Sequence, residues 1–214
     1  MGAAGEGPER KLDLPYDSVC MTEKTVTEDC DVEDGASVTV VWRAPASWPG
    51  LAVGPRAMPS KGKVVVLVTG ASGYLGQHLL IALSARRDLA LHGAYSSLAT
   101  FEEDFASLCT CHRVDVADGK ALGALLRRVR PDVVVHTAAI SSPRVCEGDK
   151  DKTFAVNAPT VLIDHLPKHA SLVFLSTDQV YEGTRAPYSE GGGAAVPVNA
   201  YGTSKLTFER ALAA

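Results

Sequence analysis

From Lys63 onward, short β-branched apolar runs alternate with stretches of helical period. Residues 63–69 (KVVVLVT) are apolar at nearly every position, the pattern of a strand buried on both faces. Residues 74–86 place Leu75, Leu79, Leu80 and Leu83 on one side and predict a helix. The alternation continues with a strand over 89–95, a helix over 100–108, a strand over 112–116 and a helix over 122–130. A fourth strand follows at 132–137 (DVVVHT), then a mostly helical stretch over 151–165 that Pro159 is expected to kink, then a fifth strand at 172–176. Strands separated by helices in this order predict an α/β fold, a doubly wound parallel sheet with right-handed crossovers.

Residues 1–62 lack this texture. They mix Gly, Ala, Pro and acidic residues without a sustained period, and Pro45, Pro49, Pro55 and Pro59 exclude a packed helix there. Residues 37–43 (SVTVVWR) have the composition of a short strand, and Trp42 and Trp48 are the chain's only tryptophans. With no second apolar run beside it to pair with, the extension is expected to be disordered or loosely packed, leaving 63–214 as the folded domain.

Charge follows the same division. Residues 1–62 hold ten acidic and six basic residues and the rest holds fifteen of each, which accounts for the formal net charge of −4. No basic run offers the surface that nucleic acid would need to release its counterions. The apolar runs fall short of the roughly 20 residues of a spanning helix, and no basic-then-apolar leader opens the chain, so neither nucleic acid nor membrane is an expected partner. Cys20, Cys30, Cys109, Cys111 and Cys146 are odd in number and include no C-x-x-C pair, which fits reduced structural thiols in a cytoplasmic protein.

Between the first strand and first helix, residues 69–76 (TGASGYLG) space Gly70, Gly73 and Gly76 three apart. The first permits a tight turn, the second lets backbone N–H groups approach a pyrophosphate, and the third lets helix pack on strand. The helix start adds unpaired N–H groups and its positive dipole end. The loop therefore predicts a Rossmann-type dinucleotide site. At the end of the second strand stand Tyr95, Ser96 and Ser97 where an NAD-specific site carries an acid, so NADP is expected, with NAD possible. Arg86 and Arg87, at the far end of the helix, lie about 15–20 Å from the pyrophosphate at 1.5 Å per residue and read as a solvated helix end.

Tyr201 and Lys205 are spaced to share one face of a helix, which would set an ammonium beside a phenol. Bringing a phenol from pKa ~10 toward 7 takes about 4 kcal/mol of phenolate stabilisation. The fifth strand runs into Ser176 and Thr177, placing hydroxyls at the carboxyl edge where open α/β sheets bind ligands. Thr177 could then hold a substrate carbonyl that Tyr201 protonates.

Together, residues 69–76, 136–139 (HTAA), Asn157, 176–178 (STD) and 201–205 (YGTSK) resemble the extended short-chain dehydrogenase/reductase family. Residues 175–183 (LSTDQVYEG), 187–190 (PYSE) and 197–205 (PVNAYGTSK) look like its dTDP-4-dehydrorhamnose reductase branch, which also includes the regulatory β subunit of methionine adenosyltransferase. The resemblance implies an NADPH-dependent reductase of a 4-keto nucleotide sugar. It equally admits a non-catalytic regulatory partner of a methionine adenosyltransferase catalytic subunit in S-adenosylmethionine synthesis, or an inactive truncated form. It implies that Gly70, Ser72, Gly73, Tyr74, Leu75 and Gly76 hold the pyrophosphate region. Ser96, Asp115 and Val116 would line the adenosine end, and Ala138 and Ala139 would touch the cofactor through backbone. Thr177, Tyr201 and Lys205 would be catalytic, with Tyr201 and Lys205 also contacting the cofactor, and Asn157 would lie near the active site. The resemblance covers 63–214, and the family's substrate-binding half is expected to be missing, leaving the sheet incomplete and the edge at 172–175 open.

No metal site is expected. His165 and His169 have ligand spacing, but Pro167 breaks the helix that would align them. Cys109 and Cys111 read as packing at a strand start, and 191–193 as a flexible glycine loop.

Overall fold

The computed structural model describes residues 40–43, 62–184, 186–188 and 195–213. Six strands form one sheet: β1 (Val40–Arg43), β2 (Val64–Thr69), β3 (Leu89–Tyr95), β4 (Thr110–Arg113), β5 (Val133–His136) and β6 (Ser171–Leu175). Their spatial order is β1-β6-β5-β2-β3-β4, and every pair from β4 to β6 is parallel. The chain thus winds outward from β2 in one direction and then in the other, the doubly wound topology that the alternation predicts.

Both faces are covered. On one, Leu67, Val134, Leu172 and Phe174 pack with Leu122, Leu125 and Leu126 of α3 (Gly119–Val129), Leu162 of α6 (Val161–His165) and Phe208 of α7 (Ala200–Ala213). On the other, Val66, Val68 and Leu91 pack with Leu80 of α1 (Tyr74–Ser84) and with Phe101 and Phe105 of α2 (Phe101–Phe105). The apolar runs are apolar throughout because each strand meets helices on two sides.

Element ends differ from expectation where side chains or prolines intervene. β4 stops at Arg113 rather than 116, because Asp115 turns the chain: its Oδ1 accepts from Ala117 N at 2.9 Å and its carbonyl from Asp118 N at 3.0 Å. The helical stretch over 151–165 is two helices, α5 (Lys150–Asn157) and α6, since Pro159 drives Ala158 out of the helical region (φ −130°, ψ 53°). A short helix not expected from the pattern, α4 (Pro143–Gly148), starts on a proline at its first turn. Arg86 ends its helix region paired with Asp88 at 2.5 Å and exposed, as a solvated helix end should be.

The extension supplies one strand, inside the run whose composition suggests it. Residues 40–43 form an antiparallel strand on β6, with Val40 opposite Leu175 and Arg43 opposite Leu172. The second apolar run that the extension itself lacks is β6, about 130 residues away, and the edge expected to lie open is covered. The rest of 1–61, with Trp48, Cys20 and Cys30, and the loop over 191–193 lie outside the described residues.

A proline pair tests this pairing. Alternate residues of an antiparallel strand aim their N–H at the neighbour, so one of Val41→Pro and Trp42→Pro removes a ladder bond and the other points to the free side. One variant is expected to lose about 1–3 kcal/mol in urea unfolding and the other much less. Equal, negligible losses would show that β1 contributes nothing.

Candidate cofactor and active site

The carboxyl ends of β2, β3, β5 and β6 lie on one edge of the sheet, and the expected site residues follow them. Thr69 closes β2 and its Oγ1 meets His136 Nδ1 at 2.6 Å, tying β2 to β5. Burial holds His136 down to about 3, so this link is neutral. Gly70 then turns with φ +69°, and a Cβ there would stand 2.5 Å from Ala138 N. Only glycine lets the two strand exits approach this closely.

Gly73 N donates to Gly70 O at 2.9 Å, closing the loop, and Gln77 Nε2 donates to Ser72 O at 2.7 Å. Gly73 caps α1 in an extended conformation with no side-chain cap, and no acid occupies the first turn. The leading N–H groups of α1, at Tyr74, Leu75 and Gly76, therefore have neither an intrahelical acceptor nor a capping oxygen. A Cβ on Gly76 would overlap Gly70 O and come 2.8 Å from Ala71 Cα. Tyr74 (84% exposed) and Leu75 (47%) stand at the rim of the loop. This uncapped, side-chain-free cradle fits the pyrophosphate of a dinucleotide.

The other expected cofactor residues border the same edge. Ser96 is exposed after β3, whereas Tyr95 is buried and donates its hydroxyl to Glu102 Oε2 at 3.2 Å. Asp115 is exposed, with its carboxylate engaged by the turn, and Val116 is buried in the core beneath it. Ala138 and Ala139 follow β5, where Thr137 anchors to Thr69 O through N (3.1 Å) and Oγ1 (2.7 Å). Asn157 lies behind them: its Oδ1 accepts from Ile140 N at 2.7 Å, while its Nδ2 donates to Ile140 O and to Ser204 Oγ, both at 3.0 Å. It thus fastens the loop after β5 to α7.

Thr177 and Tyr201 come together across the gap between β6 and α7. Burial raises the Tyr201 pKa, and the neighbouring Thr177 hydroxyl, which donates to Asp178 Oδ1 at 3.2 Å, partly opposes that rise. Thr177 Oγ1 also accepts from Gln179 N at 3.2 Å and starts the short 3₁₀ turn Asp178–Val180. Asn199 caps α7 by accepting from Gly202 N at 2.8 Å, and Glu147 reaches from α4 to accept from Ala200 N at 2.6 Å. Gly202 sits directly against the Gln179 carbonyl.

Lys205 has partners that its spacing did not announce. It is on the predicted helix but is only 3% exposed, and its Nζ donates to Leu175 O at 2.8 Å and lies 4.6 Å over the Phe174 ring. Burial lowers its pKa to about 8. Burial likewise raises the Tyr201 phenol rather than drawing it toward neutrality. A strand-end carbonyl and an aromatic face within reach satisfy the ammonium better than a neutral phenol does.

Some contributors escaped sequence reading. Asn199, directly before a helix start, carries a capping signal that could have been read. Glu147 is 53 residues from the amide it caps, and Ser176 is 33 from the Glu209 carboxylate to which its hydroxyl donates, so nothing local announces either. A cavity of about 330 Å³ lined by Glu147, Lys150, Phe154 and Pro197 meets this site at Glu147 and the start of α7. His169 pairs with Asp132 at 3.2 Å, and among the described residues no three metal-ligating side chains cluster.

Comparison with known proteins agrees with this geometry. Residues 66–214 match the NAD dependent epimerase/dehydratase family. The chain is 37% identical over 152 residues to a dTDP-4-dehydrorhamnose reductase of Burkholderia thailandensis, covering 69% of this chain and 45% of that protein. It is 31% identical over 152 residues to methionine adenosyltransferase 2 subunit beta of Xenopus tropicalis, covering 68% and 42%. Among solved structures it is similar to a UDP-glucose 4-epimerase from Bifidobacterium longum in complex with NAD+ and UDP (25% identity, TM-score 0.59, 70% and 48% covered). The chain spans about half the length of the curated relatives it matches.

Proposed function

The chain belongs to the NAD dependent epimerase/dehydratase family, and from that premise we propose that it carries the dinucleotide-binding and proton-donating half of an NADPH-dependent reductase acting on a 4-keto nucleotide sugar. The observation that supports this most is that the turn starting at Thr177 packs through the Gln179 carbonyl against Gly202, next to Tyr201, at the carboxyl edge that also bears the glycine cradle. The cradle would hold the pyrophosphate, and the exposed Ser96, flanked in sequence by Tyr95 and Ser97 rather than by an acid, suits a 2′-phosphate. When bound, the dinucleotide supplies a hydride. Tyr201, its proton retained by burial, gives that proton to the carbonyl oxygen, which the Thr177 hydroxyl orients. Lys205, held against β6 at Leu175 O, would contact the cofactor. No helix of the described residues is long and apolar enough to cross a membrane.

The test is titration with NADPH and NADH, followed by NADPH oxidation with dTDP-4-dehydrorhamnose. Tyr201→Phe is expected to keep cofactor affinity and lose about 10²–10⁴-fold in turnover. Turnover unchanged in that variant would overturn the assignment of the proton. A regulatory reading, as partner of a methionine adenosyltransferase catalytic subunit, draws on the 31% identity to a β subunit. Cofactor binding and co-purification with that enzyme, unaffected by Tyr201→Phe and without oxidation, would favour it.

A further inference from the structure

Two neighbouring residues at the end of β6 hold two residues one turn apart on α7. Leu175 O accepts from Lys205 Nζ at 2.8 Å, and Ser176 Oγ donates to Glu209 Oε1. Lys205 and Glu209 are spaced i, i+4, so they lie on one face of the helix. Thr177 follows immediately after the second of these links. Glu209 is half-buried while the next residue, Arg210, is exposed. A carboxylate withdrawn from water is costly unless it is partnered, and here the partner is Ser176 at the end of the strand, with Lys205 one turn away on the same helix face.

We propose that Glu209 is a positioning residue for this site: through Ser176 it fixes the strand end that presents Thr177, and one turn along α7 it sets a carboxylate on the helix face that carries Lys205. The proposal deepens the function above and rests on the reading that Thr177, Tyr201 and Lys205 serve one site.

The charges around the pair single out Glu209. Lys205 is faced by the Cys146 thiol from α4, the neutral His136 imidazole from β5 and the Phe174 ring from β6, besides Glu209 on its own helix. Glu209 is faced by Ser176, Lys205 and Arg210. β1 also packs against α7, and its one charged residue, Arg43, lies opposite Leu172 at the far end of β6. Glu209 is thus the carboxylate of the set. Burial pulls the Lys205 pKa to about 8 and Glu209 opposes that pull; in return, burial raises the Glu209 pKa while Ser176 and Lys205 hold it down. Removing the Glu209 charge lets Lys205 lose its proton closer to neutral pH.

The experiment is an NMR titration of the Lys205 side chain in the full 214-residue chain labelled with ¹³C-lysine, without nucleotide, the signal being assigned by Lys205→Arg. The wild-type midpoint is expected near 8. Glu209→Gln keeps an acceptor for Ser176 and removes only the charge, and should lower the proton affinity of Lys205 by about tenfold, one pH unit in the midpoint. A purely structural Glu209 would leave the midpoint where it is, and an unmoved midpoint in Glu209→Gln overturns the proposal. Should that variant not fold, Glu209→Asp, which withdraws the carboxylate by one methylene, is read by the same rule with a smaller expected fall. Because no cofactor is present, failure of NADPH to bind counts against the proposed function alone, and an unmoved midpoint against Glu209 alone.

Discussion

Gly202→Ala is expected to cost the protein both stability and its active-site geometry. The added Cβ would overlap the backbone carbonyl of Gln179 and stand 2.8 Å from its carbon and 3.0 Å from Pro197 Cβ. Backbone cannot turn aside as a side chain does, so either α7 or the turn after Thr177 must move. Overpacking of this kind costs about 1–3 kcal/mol, which for a chain of this size lowers Tm by about 2–4 °C per kcal/mol. The displacement falls between Thr177 and Tyr201, so any turnover should drop by about 10²-fold as well. Thermal melting beside Gly148→Ala checks the mechanism. Nothing lies within 4 Å of a Cβ at Gly148, and that variant should melt at or slightly above the wild type. Equal melting of both variants would show that the contact at Gly202 is not tight.

Gly73→Asp should separate folding from binding by moving them in opposite directions. Gly73 caps α1 at φ −73° and ψ 164°, a conformation open to any residue, and a Cβ there meets only Gly70 O at 3.2 Å. Aspartate is a favoured cap and its charge suits the helix dipole, so stability is expected to hold or rise by up to about 1 kcal/mol. The same carboxylate occupies the N–H groups meant for the pyrophosphate. At ~4 Å near a protein surface two like charges repel by about 4 kcal/mol, roughly a thousandfold in affinity. Urea unfolding and NADPH titration on one preparation read both effects. Undiminished affinity would place the dinucleotide elsewhere. Gly76→Ala, whose Cβ would overlap Gly70 O, should instead lose stability and binding together.

These two glycines show how far the sequence could be read. Gly73 belongs to a loop between an apolar run and a helical period, so its strand-to-helix position and its role in the cradle are visible in one short segment. Gly202 looks like an unremarkable residue within a tyrosine–lysine motif. Its reason for being glycine is the Gln179 carbonyl, which reaches α7 only when the turn after β6 folds back on it. Asn157 is intermediate: its motif position is legible, but its three bonds to Ile140 and Ser204 depend on the loop after β5 and on α7 meeting around it.

The sequence by itself determined the alternation of strands and helices, the parallel winding and the glycine cradle, because local periodicity and backbone sterics act over a few residues. Tertiary structure decided where the long-range partners fall. It laid Val40–Arg43 along β6 and so covered an edge that the local pattern left open. It also turned Lys205 to Leu175 O, so that the ammonium is set against the strand end. Spacing on a helix places a side chain on a face, but the carbonyls and charges brought to that face by distant strands determine what it binds and how it titrates.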